Sequence, residues 1–292
     1  MLCRLKGLIP FQTAFCLMDG EGMSVGHYEN FPVGSVILPR RLRKPVHAVY
    51  AFARTADDMA DEGCMPSEVR LAELEGLRRE LDVLASGGRP AHPLIARLDA
   101  EAVVPFGLDL QPFYDLLSAF SQDVVKTRYA HFGELADYCR RSANPVGRIM
   151  LALYGKTDAV GVAQSDGICT ALQLVNFWQD VAVDWQKGRV YIPQDDLAKF
   201  GVSEGQIAEG RADAAFQRLM AYECRRAFRM LKAGSPLARE LKGRIGLELR
   251  MIVLGAQLIL QKLDACGYDV FAQRPVLDKK DWLIMLKKAL WK

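Results

Sequence analysis

The chain has 292 residues, half of them hydrophobic and a quarter charged, with only 13 Pro and 24 Gly, which excludes collagen-like, low-complexity and disordered classes. Its length suits one large domain or two small ones. The formal net charge of +3 is too small for a nucleic-acid footprint, and it sits at one end: residues 278–292 hold five Lys and two Asp, so residues 1–277 balance to zero.

Arg4 and Lys6 precede an apolar stretch that Pro10, Gln12 and Thr13 interrupt, so residues 1–22 read as a poorly ordered extension rather than a signal peptide. Pro45, followed by Val46, Val49, Tyr50 and Ala53, predicts the start of a helix that Gly63 ends. Leu71–Ala85 predicts a charged amphipathic helix stopped by Gly87-Gly88. Further helices are expected over Leu110–Phe120, Phe132–Leu153, Ile168–Trp185, Asp213–Ala233 and Leu237–Asp264, with Gly and Pro turn signals between them. No run of alternating strand residues, internal repeat or linker intervenes. Met251–Leu260, the most apolar stretch, is too short to span a bilayer and is flanked by Arg250 and Lys262. The expected architecture is all-α, with residues 23–277 as one helical domain and residues 278–292 as a basic amphipathic helix.

Seven scattered Cys without a C-x-x-C pair argue against a disulfide framework or zinc site and for a reducing, cytoplasmic setting. The four His form no H-x-x-x-H pair. Gly155-Lys156-Thr157 resembles the end of a phosphate loop, but position 150, where that loop needs Gly, is Met. Gly20, Gly22 and Gly26 miss the dinucleotide spacing. No nicotinamide cofactor is expected.

Two segments carry chemistry. In Tyr50–Asp61, the residues Arg54, Asp57 and Asp61 are three and four apart and share one helix face. In Gln173–Asp184, the residues Gln173, Asn176, Asp180 and Asp184 form one polar stripe. Carboxylates at i and i+4 have Cβ atoms roughly 6 Å apart, so two such pairs on facing helices make an oxygen-lined cage suited to hard cations. A solvated helix face is the ordinary alternative. It fits poorly, because Ile168–Trp185 is apolar around nearly its whole circumference and therefore reads as buried. Buried carboxylates need compensation, and Arg54 alone cannot neutralise five of them. A metal–diphosphate site or a buried structural network would supply it.

This constellation resembles the squalene/phytoene synthase family, the head-to-head prenyl synthases, over roughly residues 27–270. Asp57 and Asp61 match the family's first D-x-x-x-D motif; Asp180 and Asp184, preceded by Gln173 and Asn176, match the second. The stretch Arg189-Val-Tyr191-Ile-Pro193 looks like the one that follows the second motif. Within the family, Glu29–Val33, Tyr138–Gly147 and Asn176–Asp180 look most like bacterial hydroxysqualene synthases. The resemblance implies a single-domain isoprenoid synthase bundle with a central cavity. It also implies a reaction in which presqualene diphosphate is opened and quenched by water to hydroxysqualene, with a partner synthase and a reductase in the same pathway. Presqualene diphosphate or squalene synthesis and phytoene synthesis, each condensing two prenyl diphosphates, are the alternatives within the family. A non-catalytic assembly factor on the same fold is the alternative outside enzymes, against which both intact Asp pairs speak. Two departures from the family pattern stand out: Asn30 replaces a common Ser, and Gln179 replaces a common Arg before Asp180, which should weaken binding of one diphosphate.

On this resemblance Asp57, Asp61, Asn176, Asp180 and Asp184 hold Mg2+ ions on the diphosphate. Arg54 contacts the diphosphate with help from Lys126, Arg128 and Arg189, and Gln173 and Asn30 complete the substrate site. Phe31, Tyr50, Tyr138, Phe177 and Tyr191 are the candidate aromatic faces for the carbocation, since ring quadrupoles stabilise cations by roughly 1–2 kcal/mol each. Small residues over Ala143–Gly147 leave room for the chain. The basic terminus, with Trp282 and Trp291, suits either a peripheral contact on the inner face of a membrane or a final helix docked on the core.

Overall fold

The computed structural model describes residues 38–61 and 65–291, and every described regular element is helical. In chain order these are α1 (Arg40–Asp61), α2 (Ser67–Ala85), α3 (Pro93–Leu98, continued by a π-helical stretch Asp99–Val103), α4 (Gln111–Val125), α5 (Phe132–Ser142), α6 (Asn144–Leu153), α7 (Ala159–Gln179), α8 (Val181–Gln186), α9 (Gln194–Phe200), α10 (Glu204–Ala208), α11 (Ala214–Gly234), α12 (Leu237–Glu240), α13 (Gly243–Ala265) and α14 (Lys279–Leu290). The calls on residues 1–22, Asn30 and Phe31, and the stop at Gly63, lie outside the described residues.

The predicted Leu71–Ala85 begins earlier, at Ser67, the predicted Leu110–Phe120 runs on to Val125, and four further helices differ in start or continuity. The first starts at Arg40 rather than Pro45, so Pro45 lies inside it. Leu38, Leu42 and Val46 recur every four residues and are all buried, and that burial outweighs the one backbone hydrogen bond Pro45 cannot donate. Phe132–Leu153 divides into α5 and α6 at Ala143, because Pro145 lacks the N–H that would continue the ladder. Ile168–Trp185 starts earlier, at Ala159 with Asp158 as its cap, and is interrupted at Asp180. Leu237–Asp264 is interrupted by Leu241-Lys242 ahead of Gly243, which adopts a φ of +69°.

The centre of the molecule is α7. Every residue from Ile168 to Val181 is buried, and the helix is enclosed by α5 and α6 on one side and α11 and α13 on the other. Close packing rests on two glycines. A Cβ on Gly234 of α11 would lie 2.3 Å from the Gln164 carbonyl of α7, and one on Gly147 of α6 would lie 2.4 Å from Ser165 Oγ. Arg148 and Asp166 bridge α6 and α7 (2.6 and 3.0 Å), and Thr170 Oγ1 donates to Asn144 Oδ1 at 2.9 Å. A second apolar core, including Phe52, Phe113 and Leu116, joins α1 to α2, α3 and α4. Among the described residues Cys169, Cys224 and Cys266 are free thiols.

Candidate active site

The first motif occupies the last turns of α1. Val46, Val49, Tyr50 and Ala53 line a small apolar hollow against Leu116, Ile149 and Met150, and the same helix face ends in the buried carboxylate of Asp57. Arg54 donates from Nε to Asp58 Oδ2 at 2.8 Å. Asp61 closes the helix.

The second motif straddles the interruption between α7 and α8. Asp180 has φ −107° and ψ 16°, outside helical values. Its N–H still donates to the Asn176 carbonyl (2.9 Å) and its carbonyl accepts from the Asp184 N–H (2.8 Å). The i,i+4 polar stripe therefore survives the bend. Gln173, Asn176, Asp180 and Asp184 are all buried. Among the described residues Gln173 Oε1 and Asn176 Nδ2 have no hydrogen-bond partner, which costs free energy unless another group satisfies them.

Arg189 ties the two motifs together. Its Nη2 donates to Asp61 Oδ1 and to the Asp123 carbonyl, both at 3.1 Å, with only 11% of each charged side chain exposed. Its own N–H donates to the Asp184 carbonyl at 2.9 Å. The following segment runs beside residues 127–130, with Val190 N–H on the Thr127 carbonyl and Gln194 N–H on the Tyr129 carbonyl. That pairing places Tyr191 flat against Phe177, with ring centroids 3.9 Å apart and planes within 3°. Tyr129 and Tyr138 complete an aromatic cluster, at 5.6 and 6.3 Å from Tyr191. Tyr138 OH donates to Asp123 Oδ2 at 2.7 Å.

Further along α7 the surroundings turn apolar. A cavity of about 90 Å3 lies between α6, α7, α12 and α13, walled by residues including Gly147, Ile168, Cys169, Leu172, Leu241 and Ile252. Val146 and Met150 line both this cavity and the hollow beside α1, so the two lie on either side of α6. Burial pushes the Cys169 thiol up to about 12, so it lines the wall as a neutral group. Glu248 is the one acidic residue in that wall; burial alone raises its carboxyl to about 7.

Asp61 and Arg189 meet, and Tyr138, Phe177 and Tyr191 meet; Tyr50 lines the hollow next to α1 instead. Lys126 is paired with Glu134, and Arg128 grips Glu204 through two hydrogen bonds (2.6 and 2.8 Å). Gln179 donates to the Pro275 carbonyl. The cation that Gln179 does not supply beside the second motif comes from elsewhere: Arg274, 94 residues from Asp180, forms an ion pair with it. No local spacing announces Arg274, nor Tyr129 and Asp123, which reach the site from the loop and helix preceding α5.

The donors of the two motifs are all oxygens, the chemistry a hard divalent cation takes. Among the described residues no three His, Cys, Asp or Glu side chains converge closely enough to hold a metal by themselves. Mg2+ typically takes one or two protein carboxylates and completes its octahedron with phosphate oxygens and water, so this donor set fits a cation that arrives with a phosphate ligand.

Comparison with known proteins decides the family. The squalene/phytoene synthase profile matches residues 25–281. The chain belongs to the squalene/phytoene synthase family. Among relatives, it is 36% identical to a hydroxysqualene synthase of Rhodopseudomonas palustris over 80% of this chain and 79% of that protein. It is 32% identical to one of Zymomonas mobilis over 93% and 89%. Among solved structures, squalene synthase HpnC from Alicyclobacillus acidocaldarius shares 36% identity, with a TM-score of 0.76 over 83% of this chain and 90% of that one. The all-α bundle is thus that of a squalene/phytoene synthase family member, and the family match spans both Asp motifs.

Proposed function

We propose that this chain is an Mg2+-dependent hydroxysqualene synthase that converts presqualene diphosphate and water to hydroxysqualene and diphosphate. The observation that carries the reading is the arrangement along α7, with carboxylates and arginines at one end, aromatic rings beside them and an apolar cavity further along. That sequence of surfaces suits an amphiphile with a diphosphate head and a long hydrocarbon body. Two relatives named hydroxysqualene synthase, aligned over most of their length, support the choice of reaction.

Asp57, Asp61, Asn176, Asp180 and Asp184 would hold Mg2+. When bound, the metal supplies Lewis-acid neutralisation of the leaving diphosphate. Arg54 beside Asp58, Arg189 on Asp61 and Arg274 on Asp180 would donate hydrogen bonds to phosphate oxygens, and Arg forks match that geometry. The carbon–oxygen bond breaks with its electron pair going to diphosphate. Phe177, Tyr191 and Tyr138 then face the cation and exclude bulk water, contributing roughly 1–2 kcal/mol per ring. A water oxygen closes the new carbon–oxygen bond and its proton leaves to solvent, so no reductant is consumed.

Arg274 favours a second reading, since a cation at Asp180 restores capacity for a second diphosphate and hence for condensing two prenyl diphosphates. Purified protein incubated separately with presqualene diphosphate and farnesyl diphosphate, in 18O-labelled water with Mg2+ and no NADPH, separates the readings. The proposal expects a labelled alcohol from presqualene diphosphate. Abundant presqualene diphosphate from farnesyl diphosphate would instead favour the condensing reading. Turnover of neither would point to the non-catalytic assembly factor.

A further inference from the structure

α14 is fixed to the bundle by one face only. Asp278 and Asp281 form a reciprocal capping box at its start, and Lys262 of α13 pairs with Asp281. Met285 and Ala289 are buried, Trp282 packs on the core, and Arg250 Nε donates to the Ala289 carbonyl at 3.0 Å. The opposite face is left with Leu283, Leu286 and Leu290, spaced i, i+3 and i+7, which are 69%, 42% and 66% exposed. Trp291 at its end is 83% exposed. Lys279, Lys280, Lys287 and Lys288 are all exposed. Asp281 is buried on the docked side, and the exposed Asp278 is held in the capping box at the helix start, so beyond that cap the exposed face pairs a leucine ridge with four cations and no acid. Isolated exposed apolar residues need no explanation, but a ridge of three with a terminal Trp does.

We infer that this face of α14 docks on an anionic lipid surface, leucines and Trp291 at the acyl boundary and lysines on the headgroups. The charge selects this occupant: an amphipathic face with four lysines, and no acid past the Asp278 cap, complements anionic headgroups. Position agrees with it. Arg250, which holds the end of α14, also donates to the Ala238 carbonyl at 3.1 Å, and Ala238 belongs to α12, whose Leu237 lines the apolar cavity. The docked end of α14 therefore lies against the cavity's outer wall, a placement suited to an apolar substrate drawn from a bilayer. Only that last remark rests on the proposed reaction.

Flotation of the full chain with phosphatidylglycerol/phosphatidylcholine vesicles, and with phosphatidylcholine alone, tests it. Binding should require the anionic lipid and fall with added salt. Replacing Lys279, Lys280, Lys287 and Lys288 by Gln should weaken binding about 100-fold or more, at roughly 1 kcal/mol per lysine. Leu283→Gln with Leu290→Gln should abolish flotation while the melting temperature holds, because both side chains are exposed. Absence of wild-type flotation on anionic vesicles, or unchanged flotation of the four-Gln variant, would overturn the inference. So would a concentration-dependent dimer that Leu283→Gln dissociates without any lipid binding, since a second copy would then be the occupant.

Discussion

On one face of α7, the N-terminal half presents Ser165, Ile168, Cys169 and Leu172 to an apolar cavity, whereas the C-terminal half carries Gln173, Asn176 and Asp180 toward carboxylates and arginines. From Ile168 onward the helix is equally buried, so exposure does not distinguish the halves. Compensation does. At the polar end, Asp61 has Arg189 and Asp180 has Arg274. At the apolar end, Glu248 makes no ion pair among the described residues, Oε1 lacks a hydrogen bond, and burial holds its proton to about 7. A buried carboxylate stays charged where a cation meets it and becomes neutral where none does. The polar end therefore supplies its carboxylates with cations, and the other end leaves its one carboxyl without any among the described residues.

The largest expected effect comes from neutralising the polar end. Asp61→Asn and Asp180→Asn nearly preserve shape, so folding should survive while turnover of presqualene diphosphate falls 100-fold or more, as loss of one transition-state electrostatic contributor implies. EDTA should silence the wild type and Mg2+ restore it. Steady-state kinetics with a thermal melt checks both halves of the expectation, and full activity in either variant would break the contrast between the two ends.

Next comes the pH dependence of the apolar end. Unfolded, Glu248 deprotonates near 4.5; folded, it keeps its proton to about 7. The folded state binds more protons in that window, so the stability this group contributes is complete below pH 4.5, falls as pH rises and is lost above 7. The size is about 3 kcal/mol. Glu248→Gln does not titrate and should gain that much on the wild type between pH 4.5 and 8 in urea melts. Tyr154 of α6, raised to about 12 by burial and then by Glu248, stays neutral throughout. Glu223, raised to about 8 by burial, titrates alike in both proteins and cancels in the difference. A constant difference between the two proteins would show that Glu248 carries no such burden.

The smallest effect tests the cavity as the place of the hydrocarbon body. Leu172→Trp puts an indole into its wall, at a packing cost of about 1–3 kcal/mol. Turnover of presqualene diphosphate should fall on the order of 10-fold, while inhibition by inorganic diphosphate with Mg2+ stays unchanged. Equal losses in both would mean that the two ends are not separable.

Much of this contrast is legible in the sequence. Spacing alone puts Asp57 with Asp61, and Gln173 with Asn176, Asp180 and Asp184, because helix period is a local property. The buried character of α7 is equally plain from its apolar circumference. What the sequence hides is long-range. Arg274 reaches Asp180 from a segment without periodic pattern, and the apparent loss of a cation at Gln179 is repaired across 94 residues. Glu248 reads as one more polar position in α13 until packing shows an apolar wall around it. Breaks at Ala143 and Asp180 are hidden for a different reason: hydrophobic period continues through both, and only the backbone departs from the helix, ahead of Pro145 at the first and through φ −107° and ψ 16° at the second.

The most direct test of the account is a crystal structure with Mn2+ and a thiodiphosphate analogue of the prenyl substrate, using anomalous scattering to locate the metal. Mn2+ should lie within bonding distance of oxygens from both motifs, with the diphosphate between them and the hydrocarbon body along Phe177 and Tyr191 into the cavity beside Leu172. Metal bound away from Asp57, Asp61, Asp180 and Asp184, or hydrocarbon density outside that cavity, would contradict it.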